Sequence, residues 1–297
     1  MAYIPDAAEW LAHSNSRQEW LQARRTGIGA SEIAGVLGAG RWCSALSVYA
    51  EKVDPFPPEE HQDHERLLLG QLLEPVILER YAKVTGRPTK SYGHLLRSKQ
   101  WPWMLATMDG LSGDLNEPVI PVECKNTQDR TGWSNGLPRD VWMQVQQQLA
   151  VADLPMGAVA VLLAGCEFKT IDVTRDQEFI HDVLVPAGED FWTNVKRRGP
   201  PPQADGSEAS RVAVNKMFPE CDETTIVLPD AFTEFGDELE AIKERQEVDK
   251  ARRAEIENQV KQNIGSATFG TVPDGGDFSW KANKNGVRTL RYRKPQE

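Results

Sequence analysis

Apolar residues at Leu68, Leu69, Leu72, Leu73, Val76 and Ile77 recur at helical spacing, so the stretch from Arg66 to Lys83 predicts a helix with Gly86 as its C-cap. The period then shortens. YGHLLRS, WMLATMDG and VIPVECKN are short runs separated by turn residues and predict a β-meander. Upstream, SRQEWLQARR predicts a short helix, GIGAS a turn, and SEIAGVLG a second helix with Ser31 as N-cap. Downstream, the pattern predicts a helix from about Pro138 to Ala152, strands at GAVAVLLAG and EFKTIDV, and a helix from about Asp176 to Lys196.

Two proline-rich polar stretches interrupt these elements, DPFPPEEHQDHE (Asp54 to Glu65) and RRGPPPQADGSE (Arg197 to Glu208); both read as loops or linkers. The second is the expected domain boundary, dividing the chain into a core of residues 1–200 and an extension of residues 201–297. In the extension, a charged segment from Asp230 to about Ile264 predicts an exposed helix. FSWKANKNGVRTLRYR predicts a β-hairpin turning at Asn285-Gly286. Six cations there, Lys281, Lys284, Arg288, Arg291, Arg293 and Lys294, face only the terminal Glu297.

Over 297 residues, 34 Lys and Arg oppose 44 Asp and Glu, a net charge of -10. That balance argues against a protein that coats nucleic acid non-specifically, since such binding rests on neutralising phosphates. It leaves room for a DNA enzyme with a local basic groove, because net charge is screened beyond about 8 to 10 Å. Cys43, Cys124, Cys166 and Cys221 form no CxxC pair, so neither a zinc knuckle nor a disulfide framework is expected. No run approaches the roughly 18 apolar residues of a membrane span, and MAYIPDAAEW lacks the features of a signal peptide, so a cytoplasmic protein is expected.

The chemistry concentrates at Asp109, at the end of one strand, and Glu123-Cys124-Lys125, near the end of the next. Alternation along a strand puts Glu123 and Lys125 on one face and turns Cys124 away. Two carboxylates meeting an ammonium suit Mg²⁺ or Mn²⁺, hard ions that take oxygen ligands and polarise a phosphodiester. This is the PD-(D/E)xK pattern of many nucleases. Glu74, within LLEPVI, would be a costly ionised group on an apolar helix face without a partner such as metal-bound water; a solvated position before a Pro75 kink is the alternative. Gln144, in DVWMQVQQQLAV, could position a water or phosphate, although a glutamine run is more often a solvated face. Trp20, Arg24 and Ser31, with Arg25 adjacent, could form an anion site or an ordinary helix start with a surface arginine.

GIGASE lacks the third glycine of a dinucleotide loop and no strand is expected before it. HQDHE fits neither usual zinc-protease order. Trp101 and Trp103 read as core of a hairpin rather than as a base-stacking platform.

Taken together and in this order, EWLQARRTGIGASEIAGVLG, GQLLEP, MDG, VECK and MQVQQQL resemble the YqaJ-type viral recombinase family, relatives of phage lambda exonuclease, over about Arg17 to Lys196. The resemblance implies an α/β fold with a restriction-endonuclease-like core, a central mixed sheet flanked by helices, followed here by a helix and hairpin extension. It further implies digestion of linear double-stranded DNA from the 5′ end by a ring-shaped homotrimer of phage or prophage origin, beside a single-strand annealing protein. By motif matching, Asp109, Glu123 and the Cys124 main-chain carbonyl hold Mg²⁺ or Mn²⁺, Glu74 contributes through metal or water, Lys125 is the catalytic lysine and Gln144 assists. Arg24 or Arg25, with Ser31, matches the 5′-phosphate pocket.

Rival readings are a structure-selective or nicking endonuclease of the same fold, and a non-catalytic DNA-end-binding scaffold. A non-catalytic relative has no chemical need to keep Asp109, Glu123 and Lys125 together. An iron-sulfur nuclease needs clustered cysteines, which this chain lacks.

Overall fold

The strand Met156–Leu163, MGAVAVLL, is apolar almost without interruption, as expected of a strand covered on both faces. It lies at the centre of the first of two compact units, Met1–Cys221 and Asp222–Glu297. The computed structural model describes residues 3–54, 64–113, 119–273 and 275–295, apart from the side chains of His64, Arg66 and Leu67. Most of the first proline-rich loop, residues 55–63, lies outside the described residues.

The first unit runs β1 (Ala8–His13), α1 (Arg17–Arg24), β2 (Ile28–Gly29), α2 (Ile33–Val36), α3 (Ala45–Val53), α4 (His64–Thr85), β3 (Thr89–Ser91), β4 (His94–Ser98), β5 (Met104–Thr107), β6 (Gly110–Ser112) and β7 (Ile120–Thr127). It continues through α5 (Arg139–Ala152), β8 (Met156–Leu163), β9 (Glu167–Thr174) and α6 (Gln177–Phe179), which passes through a π turn into α7 (Val185–Arg197), and then α8 (Glu208–Met217).

The main sheet has the order β3-β6-β7-β8-β9, with β7 and β8 parallel and the other pairs antiparallel. Helices cover both sides. Ile77, Leu78 and Tyr81 of α4 pack with Val122, Cys124, Ala158 and Ala160, while Val145 and Leu149 of α5 share a core with Val159 and Val161. Gly157 lets α5 approach: a Cβ there would lie 3.2 Å from Val145. The alternation along β7 and β8 is therefore as expected, with Cys124 turned toward α4 and its neighbours toward α5.

The expected meander is not a single sheet. β4 and β5 pair within a second sheet, β1-β4-β5-β2, whereas β6 and β7 belong to the main one. The chain changes sheets twice, at Tyr92-Gly93 and at Met108-Asp109. These crossings are joined by hydrogen bonds from Tyr92 N to Asp109 O (2.9 Å) and from Gly93 N to Met108 O (3.0 Å). Gly93 has φ +61°, a left-handed conformation that favours glycine. A hairpin of β3-β4 against β5-β6 thus bends from one sheet into the next, placing Asp109 at the bend.

Two further expectations are corrected. Ser31 does not cap the second helix, which starts at Ile33; its hydroxyl instead accepts from Arg24. The first unit also extends past residue 200 to Cys221. The physical reason is that α8 docks on α3, where Ser210 Oγ donates to Ser44 Oγ at 2.8 Å in a buried contact.

In the second unit, α9 (Ala231–Ile264) is exposed along its length with no buried residue. It is followed by β10 (Phe269–Thr271), β11 (Asp277–Ala282) and β12 (Arg288–Arg293), an antiparallel sheet in that order. Gly286 in the β11-β12 turn has φ +77°, as the Asn-Gly signal required.

Candidate active site

β7 presents Glu123 and Lys125 to α5, and α5 answers with amides one turn apart. Glu123 Oε1 accepts from Lys125 Nζ and from Gln144 Nε2, both at 2.7 Å, and its Oε2 accepts from Gln148 Nε2 at 2.6 Å. Lys125 Nζ also donates to Gln144 Oε1 at 2.9 Å. The ammonium is thus clamped between a carboxylate and an amide. Burial works against the Lys125 charge, but Glu123 outweighs it and raises the lysine's proton affinity.

Gln148 was not singled out by sequence reasoning. It is 1% exposed and also donates to Thr107 O at 3.0 Å, tying Glu123 to the end of β5. Gln147, fully buried, donates to Ile28 O and Leu105 O, each at 2.8 Å. The glutamine run that resembled a solvated face is a buried polar seam, in which side-chain amides satisfy backbone carbonyls and a carboxylate. The available signal was spacing: Gln144 and Gln148 are separated by four residues and share a helix face.

Asp109 Oδ2 accepts from the Cys124 N–H at 2.7 Å, so the bend between sheets is fastened to β7. Burial, followed by the charges of Glu123 and Glu74, raises the Asp109 carboxyl well above the ordinary range. Burial and Glu123 likewise push the Glu74 carboxyl up to about 7. With two carboxyls raised by burial and by the charge of Glu123, this centre is short of positive charge despite Lys125.

Among the described residues, no three His, Cys, Asp or Glu side chains converge closely enough to enclose an ion as they stand. Glu123 already has a donor on each oxygen. Asp109 Oδ1 and the Glu74 carboxyl have no hydrogen-bond partner among the described residues. The donor set and its charge deficit fit a hard divalent cation, with Asp109 and Glu74 supplying free oxygen atoms and Glu123 needing to release a donor to join them.

A second cluster surrounds Glu32, which is 5% exposed. Its carboxylate takes Arg24 at 3.0 Å, Lys52 Nζ at 2.9 Å and the Gly29 N–H at 2.7 Å. Burial alone would raise the Glu32 carboxyl, but Arg24 and Lys52 reverse this and lower it. Arg24 also donates to Ser31 Oγ at 2.9 Å. Arg24 and Ser31 are therefore brought together, while Arg25 is exposed at the C-cap of α1. The charge of Glu51 also acts on Arg24, so two carboxylates balance the two cations of this corner. Through Gln147, α5 links it to the acidic centre.

Residues 19–155 match the YqaJ-like viral recombinase domain family. Every site residue described above, from Arg24 to Gln148, lies within that segment. The protein named Uncharacterized protein YqaJ of Bacillus subtilis (strain 168) is 29% identical over 273 residues, spanning 89% of this chain and 84% of that protein. Among solved structures, an alkaline exonuclease (LHK-Exo) from Laribacter hongkongensis has a TM-score of 0.48 at 19% identity, covering 61% of this chain and 93% of that one. A phage-related exonuclease from Haemophilus somnus 129PT has a TM-score of 0.43 at 11% identity, covering 58% and 96%. No described helix is long and apolar enough to cross a membrane.

Proposed function

We propose that the YqaJ-like domain is a metal-dependent nuclease that degrades linear double-stranded DNA from its 5′ ends, leaving a 3′ single strand for phage-type recombination. The observation that supports this most directly is the clamp on Lys125 between Glu123 and Gln144, beside the Glu74 carboxyl and an Asp109 carboxyl with one oxygen left open among the described residues. A structural ion pair has no need of Asp109 and Glu74 nearby.

Asp109, Glu123, Glu74 and the main-chain carbonyl of Cys124 are the proposed holders of Mg²⁺ or Mn²⁺. Bound there, a divalent ion would act as a Lewis acid toward the scissile phosphate and lower the pKa of a water. Lys125 orients the attacking water and offsets negative charge developing on the phosphoryl oxygens. Gln144 holds Lys125 in place, and Gln148 fixes Glu123. Arg24 and Ser31 bind the terminal 5′-phosphate through charge-assisted hydrogen bonds, with Arg25 available at the rim. In keeping with the family resemblance, the proposed working form is a homotrimer beside a single-strand annealing protein.

The deciding experiment is digestion of linear and covalently closed duplex, with Mg²⁺ and with chelator. Loss of linear DNA alone, only with metal, supports the proposal. Cutting of the closed circle identifies an endonuclease, and no cutting of either overturns catalysis.

A further inference from the structure

The second unit carries positive charge that the proposed nuclease centre does not use. Directly paired residues of antiparallel strands project from the same face, so the register sorts the side chains of β10-β11-β12 into two sets. Phe278 pairs with Tyr292 and Trp280 with Leu290. On this face the Phe278 and Tyr292 rings lie 4.7 Å apart and the Arg288 guanidinium covers Trp280 at 3.6 Å. A Cβ at Gly270, which pairs with Phe278, would meet Ile264 at 3.2 Å, so this face turns toward the end of α9. Arg288 also donates to Gly265 O at 3.0 Å and to Ala267 O, fastening sheet to helix. One of the six basic residues is thus structural.

The opposite face has another character. Phe269, Ser279 and Arg291 form one row across the three strands, and Asp277 and Arg293 belong to the next. Phe269 is 59% exposed, with Lys281 Nζ 4.6 Å from its ring centre. Arg291 and Arg293 are exposed, and the only carboxylate among the described residues of this face is Asp277, 3.2 Å from Arg293. Three cations against one acid stand out in a chain of net charge -10.

Strand geometry sets the spacing. Arg291 and Arg293 are two residues apart on β12, about 7 Å, and Phe269 lies two strands across from Arg291, about 10 Å. A row of cations along one edge, with an exposed ring across the sheet, suits a chain of phosphates whose bases reach sideways. The ring requires an unpaired base, because a base within a duplex has both faces already stacked.

We propose that this face binds single-stranded DNA, with phosphates along Arg291 and Arg293 on β12 and a base stacked on Phe269 beside Lys281. The choice of DNA rests on the proposed nuclease function; the binding itself does not require that centre to be active.

The test is fluorescence anisotropy of the full-length chain in chelator, with a labelled oligothymidylate of about 20 nucleotides and a duplex of the same length. Phe269→Ala should weaken oligothymidylate binding about tenfold, leaving its salt slope and duplex binding unchanged. Arg291→Gln/Arg293→Gln should reduce the slope of log K against log salt by about 1.4, since each single-strand phosphate contact contributes about 0.7. Circular dichroism melts of both variants verify that the sheet persists. Unchanged affinity in Phe269→Ala, equal loss on duplex, or an unchanged slope in the double variant overturns the proposal. Oligothymidylate binding by a protein that cuts no DNA would sink the nuclease proposal and leave this one standing.

Discussion

Glu74 gives the sharpest quantitative test of the acidic centre. Its carboxyl is pushed from an ordinary 4.5 up to about 7 by burial and by the charge of Glu123. At about 1.36 kcal/mol per pKa unit, that difference corresponds to about 3.4 kcal/mol, and discounting for partial solvent screening leaves about 2 kcal/mol. The sign follows from proton linkage. Below about pH 4.5 the group is protonated in both folded and unfolded chains and costs nothing. As the pH rises toward 7, the unfolded chain ionises freely while the folded one holds its proton, so the folded state loses stability until the cost levels off above the folded pKa. Glu74→Gln abolishes this titration. In chelator, urea denaturation should show the variant little different from wild type at about pH 4 and about 2 kcal/mol more stable at about pH 8. Adding Mg²⁺ should shrink or reverse the advantage, because wild type then has the counter-charge it lacks. A variant no more stable than wild type at about pH 8, or a greater advantage at about pH 4, would refute the claim that Glu74 is held against the charge of its neighbours.

Lys125→Ala should lower turnover by several orders of magnitude while changing duplex affinity in chelator little, as single-turnover kinetics and anisotropy will show. Gln148→Leu removes one hydrogen bond to a charged oxygen and one to a carbonyl, so it should cost about 2 to 4 kcal/mol in denaturant titration and reduce activity without altering the ends chosen. Phosphorylated linear duplex should be degraded faster than dephosphorylated duplex, and Arg24→Ala should erase the difference; persistence in Arg24→Ala with loss in Arg25→Ala would move the contact to Arg25. Glu32→Gln, which frees Arg24 from its buried counter-ion, should change that end preference more than activity on a 5′-hydroxyl end.

The acidic centre was legible because its parts obey local rules. Strand alternation placed Glu123 beside Lys125 and Cys124 away from them, and helical spacing announced α4 and α5. What the sequence concealed depended on partners distant along the chain. The change of sheets at Asp109 is set by hydrogen bonds from Tyr92 and Gly93, and no hydropathy pattern encodes that pairing. Gln147 and Gln148 looked solvated because burial of an amide becomes plausible only once its acceptors, Ile28 O, Leu105 O and Glu123, are known. Ser31 was a sound N-cap candidate by type, but the helix begins later and Arg24 takes its hydroxyl. The docking of α8 rests on Ser210 meeting Ser44 across 166 positions, so the proline-rich linker marked a loop rather than the edge of the unit.

The exposure of α9 has a calorimetric consequence. Heat-capacity change and denaturant sensitivity scale with the surface uncovered on unfolding, not with chain length. A helix of 34 residues with none buried uncovers little when it melts. Its ladder of pairs such as Arg253 with Glu257 and Lys261 with Glu257 adds only about 0.2 to 0.5 kcal/mol each and weakens in salt. The 297-residue chain should therefore show the heat-capacity increment of a protein closer in size to its first unit, and α9 should lose ellipticity gradually, ahead of the main endotherm and earlier as ionic strength rises.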